Sequence, residues 1–243
     1  MMTKVLVAFA LKEEFAPWRR RHHFRPISIS PLPVFVASLG ATEVYVALTG
    51  AGAPDAYHFE DLMRQFIPDM AIVTGVAAGL KPEWRTGDLL VAQSVSGPDN
   101  ATTFPGASNL IDLAVQCGAK PAPTLITLPR IARTIAEKVR LASWGDAADM
   151  ESLALMKQWS TRGVPSIALR VILDPVDMPM TCDFEAAMDA HGRVRISPIL
   201  AQLARSPELL PDFLRLARQS RRVLKVLASF LDRFFELLDR QIL

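Results

Sequence analysis

The sequence predicts a three-layer α/β/α single domain with a central mixed sheet and a helical C-terminal extension. Three observations predict this fold. Strand-like apolar runs alternate with helical segments along the chain. The 243 residues are enough to bury one full core. No repeat or low-complexity linker divides residues 1–243, and from about residue 198 to residue 243 Leu, Arg and Phe dominate.

The N-terminal elements follow from apolar patterning. Residues 4–10 form a continuous apolar run, which suits a strand covered on both faces. Charged residues follow it directly, so we interpret the run as a strand rather than as the core of a signal peptide. Residues 33–39 and 43–49 predict two strands joined at Gly40, and residues 54–66 predict a helix.

The central elements alternate in the same way. Residues 70–74 predict a buried strand that ends in a glycine-rich turn at 75–79. Residues 88–94 predict a further strand. Helical patterns follow at 108–117 and 132–143.

The C-terminal elements complete the predicted domain. Residues 149–160 predict a helix and residues 166–173 a buried strand. Pro207 and Pro211 are expected to break the helical extension into pieces, the last being one amphipathic helix over residues 219–243.

Composition excludes several functional classes. The net charge of +2 is too small to indicate nucleic-acid binding. Cys117 and Cys182 have neither metal nor redox spacing, and two thiols suit a reducing cytoplasm. The histidines lack the spacing of metal ligands, so we expect neither a metal nor a redox cofactor. No apolar run reaches the roughly 18 residues needed to span a bilayer.

Three acidic residues lie where an open α/β sheet places its ligand. Glu14 follows the first strand, Asp174 follows the strand over 166–173, and Glu151 opens a helix. The ligand crevice of such sheets lies outside the carboxyl ends of the strands. Taken singly, each acid has an ordinary structural interpretation, such as a first-turn acid favoured by the helix dipole. The sequence around them is more specific.

Six short motifs occur in a fixed order along the chain. They are Glu13-Glu14, Thr49-Gly-Ala-Gly52, Thr74-Gly-Val-Ala-Ala-Gly79, Gly87-Asp88, Asp149-Met-Glu-Ser152 and Arg170-Val-Ile-Leu-Asp174. Over residues 4–178 this pattern resembles the 5′-methylthioadenosine/S-adenosylhomocysteine nucleosidases and their purine nucleoside phosphorylase relatives. The resemblance implies an enzyme that cleaves the bond between a purine base and C1′ of a ribose.

The resemblance also implies roles for individual residues. Asp174 matches the acid that protonates N7 of the departing purine, and Glu14 matches the acid that activates the attacking water. Glu151 matches the carboxylate that accepts hydrogen bonds from the ribose hydroxyls. The remaining implied substrate-binding residues are Leu11, Ala51, Gly52, Val76, Ala77, Ala78 and Met150.

These residue types fit the chemistry. Breaking an N-glycosidic bond builds positive charge on the ribose and negative charge on the base. A neutral acid at the base can neutralise its negative charge by giving up a proton, and a carboxylate near the sugar can stabilise its positive charge. O-glycoside hydrolysis uses the same pair of groups. Asp174 would need a pKa raised by a dry pocket, and its neighbours Leu173 and Pro175 are apolar.

The sequence departs from the nucleosidase pattern at several positions. Leu173 and Val76 stand where serine is common, and residues 125–133 lack the phenylalanine that stacks on adenine. The identity of the base therefore stays open. Ala51 stands where a bulkier side chain is usual, which would enlarge the pocket beside the 5′ substituent.

The C-terminal region carries a narrower resemblance. Residues 189–195 and 206–222 are similar to the hopanoid-associated branch of the superfamily, which is associated with removing adenine from an adenosylated polycyclic lipid. A 5′-substituted adenosine such as adenosylhopane is the substrate that this implies.

Two other functions remain open. A phosphorylase would use phosphate as co-substrate and needs cationic groups around it. The unplaced candidates are Arg19, Arg20, Arg85 and Arg130, and the presence of Glu14 favours water. A catalytically silent nucleoside-binding module is the other alternative, but a pure binder needs no water activator.

The final helix and an early basic run raise questions of surface and packing. An apolar stripe follows helical spacing at Val223, Val226, Leu227, Phe230, Leu231, Phe234, Leu237 and Leu238. We favour core or subunit packing for this stripe over membrane contact. Flanking arginines would nevertheless suit peripheral contact with an anionic bilayer.

Two further expectations concern the surface of the protein. Residues 19–23 are interpreted as a solvated surface loop rather than a phosphate patch. The family that the motifs resemble commonly pairs its subunits, so we expect a homodimer.

Overall fold

A computed structural model describes residues 2–52, 56–98 and 101–242 of the chain. Within these residues the chain forms ten strands: β1 (Thr3–Phe9), β2 (Arg25–Ile27), β3 (Val34–Leu39), β4 (Thr42–Leu48), β5 (Met70–Gly79), β6 (Leu89–Ser96), β7 (Thr103–Pro105), β8 (Lys120–Thr127), β9 (Ala147–Asp149) and β10 (Ser166–Asp174). The α-helices in the same ranges are α1 (Lys12–Arg19), α2 (Ala56–Gln65), α3 (Ser108–Gln116), α4 (Ile135–Leu141), α5 (Ser152–Ser160), α6 (Ile196–Arg205) and α7 (Leu210–Ile242).

The strands form one mixed sheet that partly closes on itself. β5 pairs in parallel with both β1 and β10. From β10 the pairing continues through β6 and β8 to β9, and β9 returns to β5. These five strands make a closed ring. β1, β4, β3 and β2 extend the sheet outward from β5.

Helices cover both faces of the sheet, as the predicted three-layer arrangement requires. Along β1, Val5 and Val7 belong to the core shared with α1, α3 and α7. The intervening Leu6 and Ala8 pack into the second core, with α2 and α5. Opposite burial of successive side chains is the strand periodicity expected of a sheet covered on both faces. The predicted α/β fold with a C-terminal helix is confirmed.

Several predicted boundaries are wrong in detail. The turn predicted at 75–79 is the continuation of strand β5. The helix predicted over 149–160 begins only at Ser152, after the short strand β9. Helix α4 is shorter than the predicted 132–143, because the Thr134 side chain caps its first turn by accepting from the Glu137 N–H at 3.1 Å. The start of the helix predicted over 54–66 lies outside the described residues.

The C-terminal helix is longer and more deeply packed than predicted. It begins at Leu210 instead of residue 219, because Pro211 falls in its first turn, where the missing N–H has no intrahelical acceptor. Most of the predicted apolar stripe, including Phe230 and Phe234, is buried in the core. The favoured interpretation, core packing, is therefore confirmed for most of this stripe. No helix in the described ranges combines the length and the apolar character needed to cross a bilayer.

The basic run at residues 19–23 helps to lock α7 in place and is not simply a solvated loop. Asp232 of α7 accepts hydrogen bonds from Trp18 Nε1 at 2.8 Å and Arg21 Nη1 at 2.6 Å. His22 Nε2 lies 2.7 Å from the same carboxylate. The Arg19 guanidinium lies over the Phe35 ring, 4.5 Å from its centroid.

Candidate active site

A cavity of about 420 Å³ lies beyond the ends of β1, β4 and β10. That volume is within the range of small-molecule sites. Nine of the ten predicted site residues line it: Leu11, Glu14, Ala51, Val76, Ala77, Ala78, Met150, Glu151 and Asp174. The tenth, Gly52, takes part through its backbone, since its N–H donates to Glu151 Oε1 at 2.8 Å.

Glu14 is held by backbone groups near the start of α1. Its carboxylate accepts from the N–H of Leu11 at 3.1 Å and from the N–H of Val76 at 3.0 Å. Burial raises the pKa of Glu14, and the Arg170 charge and these hydrogen bonds act against that rise. The carboxylate is thus buried and fixed in orientation.

Gly75 allows β5 to approach Glu14 this closely. The residue has φ +147°, and a Cβ added there would lie 2.5 Å from Glu14 Oε1 and 2.7 Å from Arg170 Nη1. Any side chain would displace one of these two charged groups. The glycine that sequence analysis assigned to a turn is therefore required by close packing inside a strand.

Arg170 joins two acidic residues beneath the cavity. The guanidinium is almost fully buried, and its Nη2 lies 2.5 Å from Asp149 Oδ2 and 3.4 Å from Glu151 Oε2. Burial raises the pKa of Glu151 to about 7, with Arg170 opposing the rise. The arginine and aspartate explain two motif positions to which sequence analysis gave no separate role.

Asp174 is paired with a lysine that sequence analysis missed. Lys138 of α4 is fully buried, and its Nζ lies 2.6 Å from Asp174 Oδ2. The same ammonium donates to the carbonyls of Met178 at 2.7 Å and Pro175 at 3.1 Å. Burial nevertheless raises the pKa of Asp174 to about 6, because desolvation outweighs the lysine charge. An acid with this pKa can give up a proton near neutral pH.

The rest of the cavity wall is mostly apolar. The largest group of these apolar residues comes from the segment after β10, from α6 and from the first half of α7. These residues are Met180, Phe184, Met188, Val194, Ile196, Ile199, Phe213, Leu216, Ala217 and Leu224. The chain between Met188 and Val194 also reaches Ala51, whose N–H donates to the Gly192 carbonyl at 3.0 Å. One cavity thus joins a carboxylate cluster to an apolar compartment.

Comparison with known proteins places this chain in a family. A sequence model of the phosphorylase superfamily matches residues 4–205. The chain belongs to this superfamily. The family resemblance drawn from the motifs is thereby confirmed. A search of curated proteins found no match.

Solved structures show the same fold in other members of the superfamily. The native futalosine hydrolase of Helicobacter pylori strain 26695 has a TM-score of 0.73 at 17% identity, covering 97% of this chain and 98% of that chain. The Campylobacter jejuni 5′-methylthioadenosine/S-adenosylhomocysteine nucleosidase has 0.72 at 16% identity, covering 96% and 98%. The Neisseria meningitidis nucleosidase, in complex with methylthio-immucillin-A, has 0.68 at 18% identity, covering 95% and 99%.

Most of the arginines considered as phosphate ligands do not line the cavity. Of the four candidates, only Arg130 lines it, and its Nη2 lies 2.6 Å from Glu137 Oε1. The buried Arg170 is already occupied by two carboxylates. Within the described residues no grouping of His, Cys, Asp and Glu could hold a metal ion.

Proposed function

We propose that this chain is a purine nucleosidase that hydrolyses the N-glycosidic bond of a 5′-substituted adenosine. The observation that carries the proposal is the convergence of Glu14, Glu151 and Asp174 on one cavity. All three are buried, and burial raises the pKa of each. Clustered carboxyl groups with perturbed pKa values are typical of catalytic sites.

The proposed reaction assigns one proton transfer to each end of the breaking bond. Asp174 in its protonated form gives its proton to N7 as the N9–C1′ bond breaks, so the base leaves neutral. Water adds to the oxocarbenium-like C1′, and its proton passes to the Glu14 carboxylate. The products are the free purine and the 5′-substituted ribose. Lys138 then faces a newly formed Asp174 carboxylate, whose charge its ammonium stabilises.

Water is favoured over phosphate as the nucleophile by the charges around the cavity. Phosphate binding needs free cationic donors, whereas Arg130 is paired with Glu137 and Arg170 with Asp149. The Glu14 and Glu151 carboxylates would also repel a dianion. Phosphorolysis remains the second candidate, because Arg130 does line the cavity.

Purine release from a panel of nucleosides, with and without added phosphate, tests the proposal. We expect release in the absence of phosphate and no stimulation by it. Release that strictly requires phosphate would establish a phosphorylase. Binding of nucleosides without any release, in either condition, would indicate a catalytically silent binding module.

Replacing Glu151 with alanine should erase the preference for ribonucleosides over 2′-deoxyribonucleosides. The Glu151 carboxylate is proposed to accept from the ribose hydroxyls, and a hydrogen bond to a charged group contributes roughly 1.5–3 kcal/mol. The measurement is the ratio of kcat/KM for a matched ribo- and deoxyribonucleoside pair. An unchanged ratio would limit Glu151 to its contacts with Gly52 and Arg170.

The apolar compartment should hold the 5′ substituent. Its lining includes Met188, Phe213 and Leu224, and the small side chain of Ala51 leaves room beside it. We expect kcat/KM to rise along a series of 5′-alkyl adenosines. Each buried methylene should stabilise the bound transition state by up to about 0.8 kcal/mol until the compartment is full. The resemblance of residues 189–195 and 206–222 makes adenosylhopane the large substrate to test. A maximum at 5′-methylthioadenosine, with falling rates beyond it, would contradict the large-compartment proposal.

Replacing Lys138 with methionine should move the pH dependence of the reaction. The acid form of Asp174 is the active form, so kcat/KM should fall as the pH rises through about 6. Because the lysine charge favours the Asp174 carboxylate, its removal should raise the pKa of Asp174 and shift this limb to higher pH. Lys138→Arg, which keeps the charge, is the control. Thermal unfolding should accompany the assay, since the substitution also deprives the Pro175 and Met178 carbonyls of a donor. If the pH at which kcat/KM falls is the same in Lys138→Met and wild type, Lys138 does not set the protonation of Asp174.

A further inference from the structure

Exposed apolar side chains lie on the two helices that border the cavity. Ile196 and Leu200 of α6 are 71% and 59% exposed, and Leu210 and Leu214 of α7 are 44% and 40% exposed. Each pair is spaced four residues apart, so its members share one side of their helix. We name these four residues the α6–α7 face. Ile196 also lines the cavity, so the face begins at the cavity rim.

The α6–α7 face lies in the most basic part of the chain. Residues 193–222 carry seven arginines against two acidic residues, a net charge of +5, whereas the whole chain has a net charge of +2. The rest of the chain is therefore net negative. Arg193, Arg195, Arg205, Arg215 and Arg218 are all exposed or half-buried. Exposed apolar side chains among arginines are the pattern of a helix that lies in an anionic lipid interface.

We propose that the α6–α7 face docks on an anionic lipid surface. Leu200, Leu210 and Leu214 would enter the boundary between headgroups and acyl chains, while the arginines bind the headgroups. Since Ile196 belongs to both the face and the cavity wall, docking would bring the apolar compartment to the lipid. The surface differs from the stripe at 223–238, most of which is buried in the core.

Electrostatics favours a lipid over a second copy of the chain as the occupant. A two-fold interface brings the same patch of both copies together. Such an interface would bring two copies of this net-positive segment close together, and like charges oppose association. An anionic surface instead neutralises all of them. Ile196 also connects the exposed apolar residues to the apolar cavity wall, so a lipid at this surface would have a path into the cavity.

Vesicle flotation without any nucleoside tests the proposal. Wild-type protein should float with vesicles of phosphatidylglycerol and phosphatidylcholine, much less with phosphatidylcholine alone, and less again as salt is added. The triple variant Leu200→Gln/Leu210→Gln/Leu214→Gln should bind about tenfold more weakly or worse. None of these three leucines lines the cavity.

A matched variant on helix α4 and in the turn that follows it provides the control. Ile135, Val139 and Trp144 are 44%, 58% and 43% exposed, similar to the three leucines. Their replacement by glutamine should leave flotation unchanged, and size-exclusion chromatography with light scattering should follow the oligomeric state of every protein. Failure of the wild type to float, or equal losses in both triple variants, would overturn the proposal. So would a leucine variant that changes oligomeric state, because the face would then be a subunit interface. These readouts need no base release, so they fail or succeed independently of the proposed nucleosidase activity.

Discussion

Replacing Asp174 with asparagine should reduce purine release by about 10²–10⁴-fold, the usual contribution of general acid catalysis. An amide cannot transfer a proton to N7, whereas its oxygen can still accept from Lys138. Single-turnover release of adenine from a 5′-substituted adenosine, measured at several pH values, gives the size of the effect. The pH dependence assigned to Asp174 should disappear in the variant, because the titrating group is gone.

The buried partner of Asp174 demands a stability control. Lys138 is fully buried, and removing one charge of a buried pair commonly costs about 3–5 kcal/mol, because the other charge is left uncompensated. The double variant Asp174→Asn/Lys138→Met removes both charges. It should regain part of any stability lost in thermal unfolding while staying inactive. A single variant that keeps more than half of the wild-type rate would remove Asp174 from the mechanism.

The parts of the fold that the sequence predicts are those whose stability is local and apolar. β1, β5 and β10 are mostly apolar along their length, and burial on both faces is typical of interior strands of a covered sheet. β8 was missed because Lys120, Pro121 and Pro123 interrupt the apolar pattern. The strand exists because β6 and β9 flank it on either side. Tertiary pairing of this kind overrides local propensity.

Some residues of the candidate site could likewise be predicted from the sequence, and others could not. Glu14, Glu151 and Asp174 stand in recognisable motifs near strand ends, so their approach to one crevice could be predicted. Lys138 lies in the middle of a short charged helix, where a lysine normally indicates a solvated face. Its pairing with Asp174 spans 36 residues and depends on how α4 packs against the end of β10. Sequence spacing carries no signal for such a contact.

Gly75 shows a prediction that was right about the residue and wrong about the reason. A glycine-rich run after a buried strand normally indicates a turn. Here the backbone stays in the sheet, and the missing side chain is needed for the contact between Glu14, Arg170 and β5. Glycine is required because two charged side chains approach the backbone at this position. One of them, Arg170, is 95 residues away in the chain, so a local sequence pattern gives no sign of the contact.

Replacing Glu14 with glutamine should stop turnover while preserving nucleoside binding. The amide of the variant cannot take a proton from water, and loss of a general base commonly costs about 10²–10⁴-fold in rate. The wild-type carboxylate accepts from two backbone N–H groups, whereas the amide can accept from only one of them through its oxygen. That lost hydrogen bond should lower the free energy of unfolding by only about 1 kcal/mol, so the folded variant remains measurable.

The adjacent glutamate, Glu13, is the matched control for Glu14→Gln, and assays with added phosphate show whether water or phosphate is the nucleophile. The Glu13 side chain also borders the cavity, but it is 59% exposed and lies 3.8 Å from Lys12 Nζ. Glu13→Gln should therefore keep at least about half of the activity, since exposed ion pairs contribute little. Calorimetric titration should show similar affinity for a non-hydrolysable nucleoside in wild type and Glu14→Gln. Phosphate should not revive the variant, because an anion bound in place of water would meet the same cluster of acidic groups and paired arginines. If phosphate restores base release to Glu14→Gln, the nucleophile is phosphate, Glu14 is not a water activator, and the chain is a phosphorylase.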